Sequence, residues 1–136
     1  MKGLKIKDDK LEIFFNEYRL LADICRDFFG HYLKATTLYI IILGALLKFF
    51  IDTPSTNSKI VFWSFGFMIN VFTIVATLYA RKLFRPMLNK SKELSSRLGT
   101  EDLHYPAILH IGKALLIFKF LITIAWIFLL LIIYTI

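Results

Sequence analysis

The sequence predicts an all-α membrane protein: an amino-terminal amphipathic cytoplasmic helix followed by three transmembrane helices, the second extended into the cytoplasm. Three observations carry this. Hydrophobic residues make up 57 % of the 136-residue chain and mean hydropathy is +0.64, and a chain this short has too little interior to hide so much apolar surface from water. Three apolar runs are each close to the ~20 helical residues that cross a hydrocarbon core of ~30 Å. Basic residues cluster in two of the segments between and around those runs and are nearly missing from the others. The length suits a single domain, residues 1–136.

Residues 9–30 are the amphipathic helix. Leu11, Phe14, Phe15, Tyr18, Leu21, Ala22, Cys25, Phe28, Phe29 and, just beyond, Tyr32 recur at three- and four-residue steps, which gathers them on one face. Glu12, Asn16, Glu17, Arg19, Asp23, Arg26 and Asp27 hold the other, and Asp8 or Asp9 is expected to cap the start. A helix lying on anionic lipid has a strongly basic polar face, whereas this one mixes signs. The stripe of Phe14, Tyr18, Leu21, Cys25 and Phe28 is therefore expected to bury against protein, either the second cytoplasmic segment or a neighbouring subunit or partner; the alternative is a helix lying flat at the membrane interface.

The first span covers residues 35–51, ATTLYIIILGALLKFFI, and is slightly short. A turn containing Pro54 leads to the second span, residues 60–80, which has no formal charge and continues in helical style to residue 98. Pro86 should kink that extension by removing a backbone donor, and Gly99 should stop it, because glycine enters the left-handed cap at little cost. Thr100 or Asp102 then opens a turn, and Pro106 lies early in the last helix, residues 107–136, whose apolar core from residue 114 carries one lysine.

Orientation follows from lysines and arginines. Seven precede the first span, seven lie between the second and third, and the outer turn offers only Lys59 at its edge. This places the amino terminus and the long loop in the cytoplasm of a bacterial cell, the three spans in its inner membrane, and the carboxyl terminus outside. The net charge of +7 is thus mostly topological, and no nucleic-acid partner is expected. No signal peptide is visible, so the start is expected to be retained.

Polar groups within hydrocarbon are costly, so their faces matter. Gly66, Asn70, Thr73 and Thr77 fall on one stripe of the second span; Thr37, Gly44 and Lys48 share a face of the first; Lys119 and Thr123 share one of the third. Small and polar residues let helices approach and hydrogen-bond. The stripes either pack within one subunit or line a wet pathway between several. Lys48 and Lys119 sit near opposite ends of their spans, from which both can snorkel to water.

Catalytic chemistry is not in view. No carboxylate lies within a span, which argues against proton-coupled exchange of the small multidrug type. The architecture is similar to bacterial diacylglycerol kinase, but the glutamate-rich motif of that enzyme is missing around Asn70. Cys25 is the lone cysteine, and His31, His104 and His110 lack ligand spacing, so no metal, cofactor or catalytic residue is expected. Arg26 to His31 and Arg97 to His104 fit the loose Arg–His spacing of HEPN ribonucleases, yet the cytoplasmic portion is too small for the four-helix soluble bundle of that family.

A charged amino-terminal helix, a span containing Gly44-Ala45, a short outer turn and a span running into a cytoplasmic helix together resemble the SLATT-type membrane effectors of bacterial nucleotide-signalling and anti-phage systems. The resemblance covers residues 9–98, and the third span departs from the usual two-span plan. It implies a homo-oligomer that breaches the membrane when a protein or small ligand triggers it; no family site residue transfers. The alternative is an accessory membrane subunit holding a partner complex.

Overall fold

The computed structural model describes the backbone of residues 2–99 and 104–135 and the side chains of residues 8–99, 109–133 and 135. Three helices make up the chain: α1 (Lys2–Asp52), α2 (Thr56–Leu98) and α3 (His104–Thr135), with no strand among the described residues. All three are long and apolar enough to cross a membrane. At 1.5 Å per residue α1 and α2 reach ~77 and ~65 Å, about twice a hydrocarbon core, so each combines a spanning part with a projecting part. We call the projecting pair, residues 8–34 of α1 and 81–98 of α2, the arm.

The expected amphipathic helix and first span are one uninterrupted helix. Gly30, expected at its end, costs a helix only about 1 kcal/mol, and His31, Tyr32, Leu33 and Lys34 carry the helical pattern across it. Asp8 and Asp9 accordingly lie inside α1 rather than capping it. The chain turns at Thr53-Pro54-Ser55. Proline disfavours α geometry in the residue before it, so α1 ends there, with the Thr53 N–H donating to the Phe49 carbonyl at 3.1 Å. Ser55 sits at the start of α2 with φ −78° and ψ 125°.

Helix α2 continues through Pro86. It ends where expected: Gly99 has φ 68°, and its N–H is directed to the carbonyls of Ser95 and Ser96. Thr100 and Asp102 lie outside the described residues, and Pro106 is the third residue of α3.

Helix α2 packs against both neighbours, while α1 and α3 meet chiefly through a few long side chains. The α1–α2 hairpin keeps one antiparallel register from end to end. Arg97 lies over the Phe14 ring, Phe28 stacks on Phe84 with centroids 4.3 Å apart, the Tyr39 hydroxyl meets Asn70, and Phe49 stacks on Phe62 near the turn. On α2 the buried residues Gly66, Asn70, Thr77, Phe84, Leu88, Ser91 and Ser95 follow a spacing of three, four or seven, with Leu94 buried beside Ser95, the 3.5-residue period of helices packed along their whole length. On α1, Thr36, Tyr39, Leu43 and Phe50 do the same, and Cys25 lies eleven residues before Thr36, a step of seven plus four. The outward faces are apolar: Phe72 is 72 % exposed, and Ile117, Leu121 and Phe128 on α3 are also exposed. So much contiguous apolar surface is stable in lipid and not in water.

Candidate functional site

The interior of the apolar part carries a ladder of polar and aromatic side chains. Near the turn, two tryptophans exchange hydrogen bonds. The Trp63 indole N–H donates to the Trp126 carbonyl at 2.7 Å, and the Trp126 indole N–H donates to the Trp63 carbonyl at 2.9 Å. Trp126 fits here only because Gly66 faces it: a Cβ on Gly66 would stand 2.0 Å from the Trp126 ring. Glycine thus lets α2 and α3 approach, as small residues do between membrane helices.

At mid-depth Asn70 is fully buried. Its side-chain carbonyl accepts from the Tyr39 hydroxyl and its amide donates to the Gly66 carbonyl at 2.9 Å. One turn further, the Thr73 hydroxyl donates to the Ile69 carbonyl at 2.6 Å and the Thr77 hydroxyl to the Thr73 carbonyl at 2.7 Å. Hydroxyls satisfied by their own helix in this way need no water.

Lys119 closes the ladder. It is 3 % exposed, its ammonium donates to the Thr77 hydroxyl at 2.7 Å, and the Tyr32 hydroxyl lies 3.5 Å away. The rings of Tyr32 and Tyr39 face it with centroids at 4.9 and 5.6 Å, a cation–π arrangement. The two ion pairs found among the described residues are Arg26–Asp23 and Arg97–Glu93, both on the arm, so Lys119 has no carboxylate opposite it. It points inward rather than snorkelling to water, the other course open to it. Thr77 and the two tyrosine rings supply in part the solvation that water would give the ammonium.

The structure therefore divides the expected stripe. Gly66, Asn70, Thr77 and Lys119 come together inside the one chain, with Thr73 and Thr123 half-buried beside them; the Thr123 hydroxyl donates to the Lys119 carbonyl at 2.8 Å. Thr37, Gly44 and Lys48 lie apart, exposed on the far side of α1. The neighbouring Thr36, one residue and 100° away, takes the buried place. Every buried side-chain nitrogen and oxygen among the described residues has a partner.

The aromatic stripe of α1 is covered by α2 of the same chain. Cys25 is buried against Phe84 and Leu88, with Met87 and Leu109 beside them. Phe14, Tyr18 and Leu21 are half-buried, and Phe28 is exposed at one edge of its stack on Phe84. Arg26 pairs with Asp23 on the surface at 2.7 Å, Arg97 with Glu93 at 2.7 Å, and His31 is exposed. Arg26 and Arg97 stand near opposite ends of the arm, and the His104 side chain lies outside the described residues. Among the described residues no group of three or more His, Cys, Asp or Glu side chains is placed to hold a metal.

Sequence reasoning missed Tyr39, Trp63 and Trp126, and placed Tyr32 on the aromatic stripe of α1 without its role beside Lys119. A usable signal existed: Tyr32, Thr36, Tyr39, Leu43 and Phe50 recur at four, three, four and seven residues, and a buried indole or phenol requires an acceptor. The fold and the ladder define a class, an all-helical chain with three helices suited to crossing a membrane and a polar ladder between them. Compared with protein-family models, with curated proteins and with solved structures, the chain matches none.

Proposed function

We propose that the chain is a homo-oligomeric effector of the bacterial inner membrane, which forms a pore or disrupts the bilayer when its cytoplasmic helices are engaged, with a place in anti-phage defence. The arm is cytoplasmic and the carboxyl terminus outside, because the arm and the segment joining α2 to α3 carry the basic residues. One observation carries the reading: the exposed face of α1 formed by Thr37, Gly44 and Lys48. Nothing lies within 4 Å of a Cβ built on Gly44, and Lys48 is an exposed cation in an apolar segment, with no hydrogen bond or ion pair among the described residues. In a bilayer that combination is best satisfied by a second copy, where small residues permit close approach and the ammonium faces a shared aqueous path. Three helices enclose no pore, so a pathway requires several copies; it also requires a protein or small-ligand trigger, since a permanently open path is toxic.

Native mass measurement in detergent and a potential-sensitive dye during regulated expression test this together. The expected result is an oligomer whose triggered expression collapses the membrane potential, with Gly44→Leu and Lys48→Leu reducing both association and collapse. A monomeric wild type that leaves the potential intact sinks the proposal.

A second reading has its own support. Leu11, Ile13, Phe15 and Leu20 are each more than half exposed on the arm, in the charged stretch that precedes the apolar run of α1. An accessory subunit would cover them with a cytoplasmic partner. Copurification of a stoichiometric partner with a monomeric wild type, lost on Leu20→Glu, decides for this reading.

A further inference from the structure

Below the ladder, where the apolar run of α2 gives way to basic residues, the three helices enclose a half-open cleft of about 520 Å³, within the ~300–1,000 Å³ common for ligand sites. Arg81, Lys82 and Arg85 of α2 and Lys113 of α3 line it, and its described lining contains no acidic side chain. Phe28, Phe84 and Leu109 form apolar walls. Tyr32 and Thr77 also line the cleft; these are the two residues whose hydroxyls lie beside the Lys119 ammonium.

We propose that this cleft binds the phosphate headgroup of an anionic phospholipid from the adjacent leaflet. Two independent features converge on an anion. Four cations are gathered at one concavity, and like charges so placed repel one another unless a counter-charge joins them. Separately, Lys119 is buried without a carboxylate partner, a costly state for a lone cation. A phosphate seated among Arg81, Arg85 and Lys113 supplies counter-charge to both, reaching Lys119 through the Tyr32 and Thr77 side chains they share. Arginine suits this because its planar fork donates two parallel hydrogen bonds to phosphate oxygens. The walls select a lipid over a soluble phosphate: Phe28, Phe84 and Leu109 match the glycerol and first methylenes, and the cleft sits at the boundary where headgroups lie. Basic pockets between membrane helices are a known place for anionic headgroups. The proposal needs the chain to span a membrane but does not depend on self-association.

The test is native mass spectrometry of the full chain from neutral detergent, with phosphatidylglycerol and phosphatidylcholine of matched acyl chains. Oligomeric state is read in the same spectra, separately from lipid adducts. Wild type should retain phosphatidylglycerol about tenfold better, equivalent to about 1.4 kcal/mol. Arg81→Gln/Arg85→Gln should lose most of that preference, while Lys10→Gln/Lys90→Gln, which removes equal charge elsewhere on the arm, should keep it. Inorganic phosphate and glycerol 3-phosphate at millimolar concentration should not displace the lipid. Equal retention of the two lipids by wild type overturns the proposal whether or not the variants fold. So does an equal loss in both double variants, which would reduce the effect to diffuse charge, and displacement by inorganic phosphate would assign the cleft to a soluble anion.

Discussion

Gly66 and Gly44 are the same residue type, each in an apolar helix, with opposite surroundings. Adding a methyl to Gly66 drives it into the Trp126 ring, and overpacking of this kind costs about 1–3 kcal/mol. Gly66→Ala should lower stability by that amount in a detergent unfolding titration and shift the tryptophan emission, since Trp63 and Trp126 are the only two indoles and both sit at this contact. Gly44→Ala meets open space and should leave protomer stability unchanged or slightly higher, because alanine is the better helix former. Equal destabilisation by both would contradict the packing described. Asn70→Leu removes the acceptor of the Tyr39 hydroxyl. Hydrogen bonds between membrane helices are worth roughly 0.6–1.7 kcal/mol, so a loss near 1 kcal/mol is expected; Tyr39→Phe combined with Asn70→Leu should cost less than the two singly, because no orphaned group remains. The polarity of Asn70 was legible from sequence. Its partner was not, because Tyr39 and Asn70 are 31 positions apart and only the register of the hairpin joins them.

Helix α1 shows how an element can be misread at its middle. Apolar periodicity before Gly30 and an apolar run after residue 34 look like two units, and a lone glycine looks like a boundary. The glycine that does end a helix, Gly99, differs in one respect: its φ of 68° places it in the left-handed region, which a Cβ makes costly. Gly99→Ala should therefore fray the last turn of α2, costing about 1 kcal/mol, visible as faster amide exchange near Ser96. Pro86 makes the opposite case. Helix α2 continues through it although the residue offers no N–H to the carbonyl of Lys82, and its side chain is exposed. Pro86→Ala should restore a backbone bond without removing packing and raise arm stability by about 1–3 kcal/mol. A fall in thermal stability would mean that Pro86 has a packing role the exposed position does not suggest.

For the whole molecule, the arm and the apolar part obey different rules of burial. On the arm the covered stripe around Cys25 and the exposed Leu20 and Ile13 lie on one helix, so the arm leaves apolar side chains uncovered outside the apolar run. In the apolar part, exposed Phe72 and Leu121 need only lipid. The charge bias predicts the arrangement across the bilayer: a tag after Ile136 should be reachable from outside the cell and a tag before Met1 only after permeabilisation. A carboxyl-terminal tag reachable from the cytoplasm alone would reverse the proposed topology and, with it, the leaflet facing the basic cleft.

Three apolar segments, their approximate limits, the stop at Gly99 and the uneven distribution of lysine and arginine were all determined by sequence alone, because length and hydropathy report directly on whether a helix can lie in hydrocarbon. The polar stripes of α2 and α3 marked their packed faces, but which face of the apolar part of α1 is inside, and which side chains meet across the helices, was decided only by tertiary structure. Lipid tails are as apolar as leucine, so hydrophobicity cannot mark the packed side of a membrane helix. The choice falls to shape and hydrogen bonding: a tryptophan that fits over one glycine, a tyrosine that reaches an asparagine, and a lysine that finds a threonine on the neighbouring helix.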